Sequence, residues 1–146
     1  MNTNRTSNLF HVSEAANLAL HAMALLAGTG DRLIPTHDLA DRLKASVHHL
    51  AKVMAALEHA GLVHGVRGPS GGYRLARTAE RIALKAVFEA VEGPMRVGKC
   101  MFGTPVCGGR ECILGGFFKD VNQQVADKLT DTMLSEIVLK IGRKRG

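Results

Sequence analysis

Every cysteine of the chain falls in one stretch, KCMFGTPVCGGRECILGG, residues 99–116. Cys100, Cys107 and Cys112 are spaced C-x6-C-x4-C. Thiolates are soft, anionic donors, and a loop carrying three of them can wrap an iron–sulfur cluster. Gly103, Gly108, Gly109 and the Thr104-Pro105 turn suit such a loop. Glycines also free backbone N–H groups to point at sulfurs and tune a cluster's potential. Zinc would use the same thiolates with a histidine, although typical zinc sites start from a close cysteine pair, and only Cys107 and Cys112 come near one. Unligated thiols on a loop are the third reading. Three is an odd number, so a closed intrachain disulfide framework fails.

The rest of the chain must position that loop. Its 146 residues suffice for one domain with a real core, and 46% apolar residues exclude a disordered chain. Five Phe, one Tyr and no Trp leave the core to aliphatic side chains, which suits packed helices. Nineteen Lys and Arg against thirteen Asp and Glu give +6, a balance that favours a polyanionic partner. The longest apolar run, residues 18–27, is interrupted by His21 and too short to span a bilayer. The first twenty residues lack a basic region followed by an apolar stretch, so a cytoplasmic protein with reduced thiols is expected. No nucleophile–base motif or nucleotide loop is visible, and GPSGG at 68–72 lacks the strand-loop-helix setting of a phosphate loop. Neither an enzyme nor a small-molecule substrate is expected.

Periodicity and turn residues predict a mainly α protein with a small β-hairpin. Ser13 is expected to cap a helix running to Ala27, apolar nearly all round, whose extra cover would come from a partner chain. Thr36 is expected to cap a second helix ending at Leu43, and Ser46 a third running to Ala60. The third helix has Val47, Leu50, Val53, Met54 and Leu57 as its apolar face. Two short helices joined by a tight turn make a helix-turn-helix. LVHGVR and YRLAR, flanking GPSGG, then read as a hairpin, which makes the unit a winged helix. A helix over residues 83–91 leads to the cysteine loop, residues 93–116. The last segment, 113–141, carries Phe117, Val121, Val125, Leu129, Met133, Ile137 and Ile141 every four residues. A stripe that long predicts a dimerisation helix, with folding back on its own domain as the other option. Residues 1–146 are thus expected to form a single domain with a winged-helix head over 9–92.

A helix in the major groove reaches base edges with its early residues. Those are Val47, His48, His49 and Lys52. Arg42, Lys44, Arg67, Arg74 and Arg77 surround the unit and suit phosphates, while Gly68, Ser70 and Gly71 form a hairpin tip slim enough for a minor groove. The other reading of these charges is a solvated face. His21, in an apolar helix, reads first as a hydrogen-bonded core histidine.

The stretch GLVHGVRGPSGGYRLAR at 61–77, followed by VFEAVEGP at 87–94 and three close cysteines, resembles one family: the winged-helix bacterial transcription regulators that include IscR and NsrR. The resemblance runs over residues 9–140, and HHLAKVMAALEHAGLV at 48–63 resembles that family's recognition helix. It implies a homodimer that binds an inverted repeat in promoter DNA, usually as a repressor. It also implies a 2Fe–2S or 4Fe–4S cluster on Cys100, Cys107 and Cys112, whose state sets DNA affinity in response to redox state, nitric oxide or iron. One branch places a histidine three residues after the third cysteine, where this chain has Gly115; its promoter-restricting glutamate matches Ala51. Other branches take a ligand from the partner's first helix, at positions matching Asn17 and His21. The partner's His21 is therefore the fourth ligand that the resemblance implies, with Glu14 as second choice. A regulator using zinc or thiol oxidation without a cluster is the alternative, and an iron–sulfur carrier or redox protein a more distant one.

Overall fold

The first helix, α1, runs Glu14–Ala27, and the Ser13 hydroxyl accepts the Ala16 N–H at 3.1 Å to cap it. The computed structural model describes residues 12–98, 106–107, 112–114 and 116–138. The order continues with α2 Thr36–Leu43, α3 Val47–His59, β1 Val63–Val66, β2 Gly72–Leu75, a 3-10 turn at Ala79–Arg81, α4 Leu84–Glu92, α5 Phe117–Asp131 and a second 3-10 turn at Leu134–Ile137. α1 packs against α2, α3, α4, β2 and that last turn. Its cover therefore comes from its own chain, not from the partner expected above: eight of its residues are buried without one. Only Glu14, Asn17 and His21 are exposed, and their spacing puts them in one row along the helix. His21 thus faces solvent and is no core histidine.

α2 differs from expectation at its start. Thr36 is its first residue rather than its cap, Pro35 holds the cap position, and no side chain bonds there. Proline's fixed φ suits such an entry. α3 is capped as expected, with Ser46 Oγ accepting the His49 N–H at 3.1 Å. Leu50, Val53, Met54 and Leu57 are buried, but Val47 is 50% exposed. It sits in the first turn, off the end of the buried stripe, and so belongs to the outer surface alone.

β1 and β2 pair antiparallel in the register Val63↔Leu75, His64↔Arg74, Gly65↔Tyr73 and Val66↔Gly72. A third short element joins them. Ile34 exchanges two backbone hydrogen bonds of 2.9 Å with Tyr73, so β2 is flanked on both sides. At the tip only glycine fits at 71, because a Cβ there would stand 2.1 Å from the Val66 carbonyl oxygen.

The largest departure lies at the C-terminal side. The continuous helix expected over 113–141 is instead α5, ending at Asp131. Thr132 is extended and buried; Met133 forms a bridge with Ala83, and the Leu134 N–H donates to the Ile82 carbonyl at 2.7 Å. Leu134 is fully buried in the core. Its burial and the backbone bonds to Ile82 and Ala83 hold the segment against the head. The stripe is thereby divided: Phe117 and Val125 are exposed on α5, Met133 and Ile137 fold back on the head, and Ile141 lies outside the described residues.

Leu26 lies in the middle of this core with no exposed surface. Leu26→Ala is expected to lower stability by about 2–5 kcal/mol. Equilibrium unfolding in urea checks this, and a loss under about 1 kcal/mol would mean the site collapses around the gap.

Candidate nucleic-acid interface and cysteine loop

The α2–α3 turn is closed by Lys44 in the left-handed conformation, at φ 53 and ψ 41. Among the described residues it is the only one other than glycine with positive φ. A lysine there costs roughly 1–2 kcal/mol that a glycine would not. The turn aims α3 outward. Val47, His48, Ala51, Lys52 and Ala55 are exposed on it, and Arg42 and Lys44 are exposed beside it. His49 behaves differently from its neighbour. It is half-buried, with Nδ1 3.6 Å from Glu14 Oε1 on α1, so it turns toward α1.

Between α3 and the hairpin runs a groove of about 740 Å³, lined by Thr36, His37, Val47, Glu58, Arg67 and Tyr73 among others. Arg67, Gly68 and Ser70 are exposed at the tip. Gly71 is buried and donates its N–H to the Gly68 carbonyl at 2.9 Å, so its place is to close the tip. Arg74 is half-buried opposite His64, on the hairpin face away from Tyr73. With Arg77, Asp31 and Glu80 it lines a second hollow of about 690 Å³. The outer face of α3 and Arg67 therefore stand together, and Arg74 and Arg77 stand apart from them.

Two groove residues escaped the sequence reading. Glu58, in the last turn of α3, accepts the Gly65 N–H at 3.1 Å. Tyr73 packs beside them, since a Cβ on Gly65 would meet its ring at 2.8 Å. Burial, and then the Glu58 carboxylate, push the Tyr73 phenol above its ordinary value, with Arg67 opposing. Gly65 was the available signal, because a glycine inside a strand often marks a close approach.

Of the cysteines, Cys100 lies outside the described residues, while Cys107 and Cys112 are half-buried free thiols. The Leu114 N–H lies 3.5 Å from Cys112 Sγ and donates to it. The start of the loop is tied to α5 by Asn122, whose amide donates to the Gly98 carbonyl at 3.1 Å. Among the described residues, no three His, Cys, Asp or Glu side chains come together as a metal site. His21 stands on α1 with Nδ1 2.8 Å from the Asn17 carbonyl oxygen. Against a carbonyl oxygen Nδ1 can only donate, so Nε2 is the nitrogen of this exposed ring left to coordinate, the arrangement a metal-binding imidazole needs. The Cys107 and Cys112 thiols, the latter accepting a backbone N–H, and the exposed His21 imidazole fit an iron–sulfur cluster in donor chemistry. Glu14, Asn17 and His21 share a hollow of about 370 Å³ with Arg42 and Lys44.

A helix-turn-helix, a paired hairpin and a basic outer face define a winged-helix regulator. A family model described as Rrf2, iron-dependent transcriptional regulator, matches residues 12–140, and the chain belongs to that family. The HTH-type transcriptional regulator IscR of Erwinia tasmaniensis is 33% identical over 105 residues, 72% of this chain and 64% of that protein. Its namesake in Vibrio campbellii is 30% identical over 129 residues, 88% of this chain and 73% of that protein. Among solved structures, CymR, the global cysteine regulator of B. subtilis, has a TM-score of 0.71 at 21% identity, covering 89% of this chain and 97% of that one. IscR of T. potens has a TM-score of 0.68 at 24% identity, covering 94% of each. These two likenesses bear on the fold. Family membership supports a regulator and not an enzyme. Among the described residues no helix is long and apolar enough to cross a membrane.

The fold favours neutral Tyr73, so its raised value has a sign in stability. Below the ordinary value of 10.0 the group leaves stability unchanged; as pH rises past it the unfolded chain ionises first and stability falls. Urea unfolding across that range should show a steeper decline for the wild type than for Tyr73→Phe. Parallel curves would mean the phenol is not held neutral by the fold.

Proposed function

We propose that the protein is a homodimeric transcription regulator, acting as a repressor, that binds an inverted repeat in double-stranded promoter DNA. The observation that carries this is the shared outer face of α3 and Arg67 on the hairpin, split by one groove and flanked by Arg42 and Lys44. Val47, His48 and Lys52 would meet base edges, with His49 beside them at the α1 contact. Arg42, Lys44 and Arg67 would meet phosphates on this face and Arg74 one on the far side of the hairpin, while Gly68 and Ser70, with Gly71 closing the tip behind them, would carry it toward the minor groove. Dimerisation is supported by apolar side chains left in water around the start of α5: Ile113 is 86% and Phe117 67% exposed. A dimer would offer its two α3 helices to half-sites roughly 34–36 Å apart.

Cys100, Cys107 and Cys112, with the partner's His21, would hold a 2Fe–2S or 4Fe–4S cluster. When bound, such a cluster supplies a centre that responds to redox state, nitric oxide or iron supply. The chain's own residues do the rest. The Asn17 carbonyl orients His21, and the Leu114 N–H supports the Cys112 sulfur. The row that carries His21 also touches the α2–α3 turn and, through Glu14, His49.

Anaerobic purification followed by a visible spectrum and iron, sulfide and zinc analysis tests the cluster. A brown protein that Cys107→Ala bleaches is expected, with DNA affinity differing between the two forms in gel shifts on DNA upstream of its own gene. Colourless, iron-free protein even after reconstitution would sink the cluster, and zinc content would then separate a zinc site from a thiol switch. Lys44→Gly tests the DNA face separately. It should raise stability by about 1 kcal/mol by relieving the left-handed lysine. It should also weaken DNA binding and lower the slope of log affinity against log salt by about 1. A variant that gains stability and binds unchanged would remove Lys44 from the interface.

A further inference from the structure

The groove between α3 and the hairpin contains one feature at odds with binding a polyanion. Glu58 is the only acidic residue among those lining it. A carboxylate on a face that meets phosphates works against binding, so its presence calls for a compensating role.

The strand order supplies that role. β2 is held on one side by β1 and on the other by the backbone of Ile34. Among the described residues β1 has β2 on one side only, and its outer edge faces α3. Edge strands present unpaired N–H groups. The Gly65 N–H, turned away from β2, donates to Glu58 Oε1 at 3.1 Å. A side chain on Gly65 would stand 3.1 Å and 3.3 Å from the two Glu58 oxygens and 2.8 Å from the Tyr73 ring. The glycine leaves room for the Glu58 carboxylate and the Tyr73 ring to lie against the strand. Two residues further along, Arg67 begins the exposed tip.

We infer that Glu58 is a positioning residue: its carboxylate latches the outer edge of β1 to the end of α3 and so fixes where Arg67 stands across the groove from Val47. The inference rests on the reading of this face as the DNA-binding surface. It assigns Glu58 no contact with DNA. The latch needs an acceptor oxygen at this position, and glutamine supplies one without the charge.

Glu58→Gln and Glu58→Ala, each with and without Arg67→Ala, separate the possibilities in the full-length protein. Glu58 is exposed, so neither change opens a cavity. The first readout is hydrogen exchange of the Gly65 amide by NMR. Glu58→Ala should speed it about tenfold while Leu57 is unchanged, and Glu58→Gln should stay near the wild-type rate. The second is affinity for a duplex selected from a random-sequence library with the wild-type protein. Arg67→Ala should weaken binding about tenfold in the wild type and in Glu58→Gln, but less than about twofold in Glu58→Ala. Equal Gly65 exchange in the two Glu58 variants overturns the latch. Altered exchange with the same Arg67 penalty in every background overturns the positioning role. Failure of the wild type to select any sequence overturns the DNA-binding reading itself, and the role with it.

Discussion

The burial of α1 on every side but one is the constraint from which the other placements follow. A helix this apolar has to be sheathed, and α2, α3, α4 and the segment after α5 all supply cover. Each covering helix spends one face on α1 and has one face left for solvent. For α3 the spent face is Leu50, Val53, Met54 and Leu57, which leaves Val47, His48, Ala51 and Lys52 outward. The outer face of the head is therefore what remains after the core is built. The same demand draws the chain back after Asp131, since Leu134 fills a place in the core that the helices leave open.

Where one side chain decides the outcome locally, the sequence was legible. Ser13 and Ser46 cap their helices through their hydroxyls, Gly28 and Gly61 stand just past helix ends, and the alternation around GPSGG gives a hairpin. Where the outcome depends on competition between distant segments, it was not. The four-residue stripe from Phe117 to Ile141 fits a helix as well as any pattern can, yet nothing local records that Ile82 and Ala83 would offer Leu134 and Met133 a backbone partner. Ile34 was hidden for the same reason: a single β-branched residue before a proline reads as a connection until its partner, Tyr73, is placed beside it. Within the candidate site, residue types announced the cations, but His49 and Gly71 took inward roles because of what packs against them.

Lys44 and Glu58 show how far this head departs from what stability alone would choose. One holds a cation in a backbone conformation that disfavours any side chain with a Cβ. The other holds an anion in a groove otherwise lined by neutral and basic groups. Each costs something that a simpler residue, glycine or alanine, would avoid. The compensation has to be found in geometry: the sharp turn that brings a charge beside α3 in the first case, and a satisfied strand edge in the second.

The exposed row of α1 ties the first helix to the start of α3. Glu14, Asn17 and His21 are the one part of that helix left uncovered, and the row is bordered by the α2–α3 turn on one side. At its N-terminal end Glu14 reaches His49 in the first turn of α3. Anything that pulls on this row acts on the turn and on the start of α3 through side chains already in contact, with no need for the core to deform. Close-packed interiors transmit such shifts as rigid displacements. A displacement of the row would therefore reach α3 at its first turn, beside Val47 and His48.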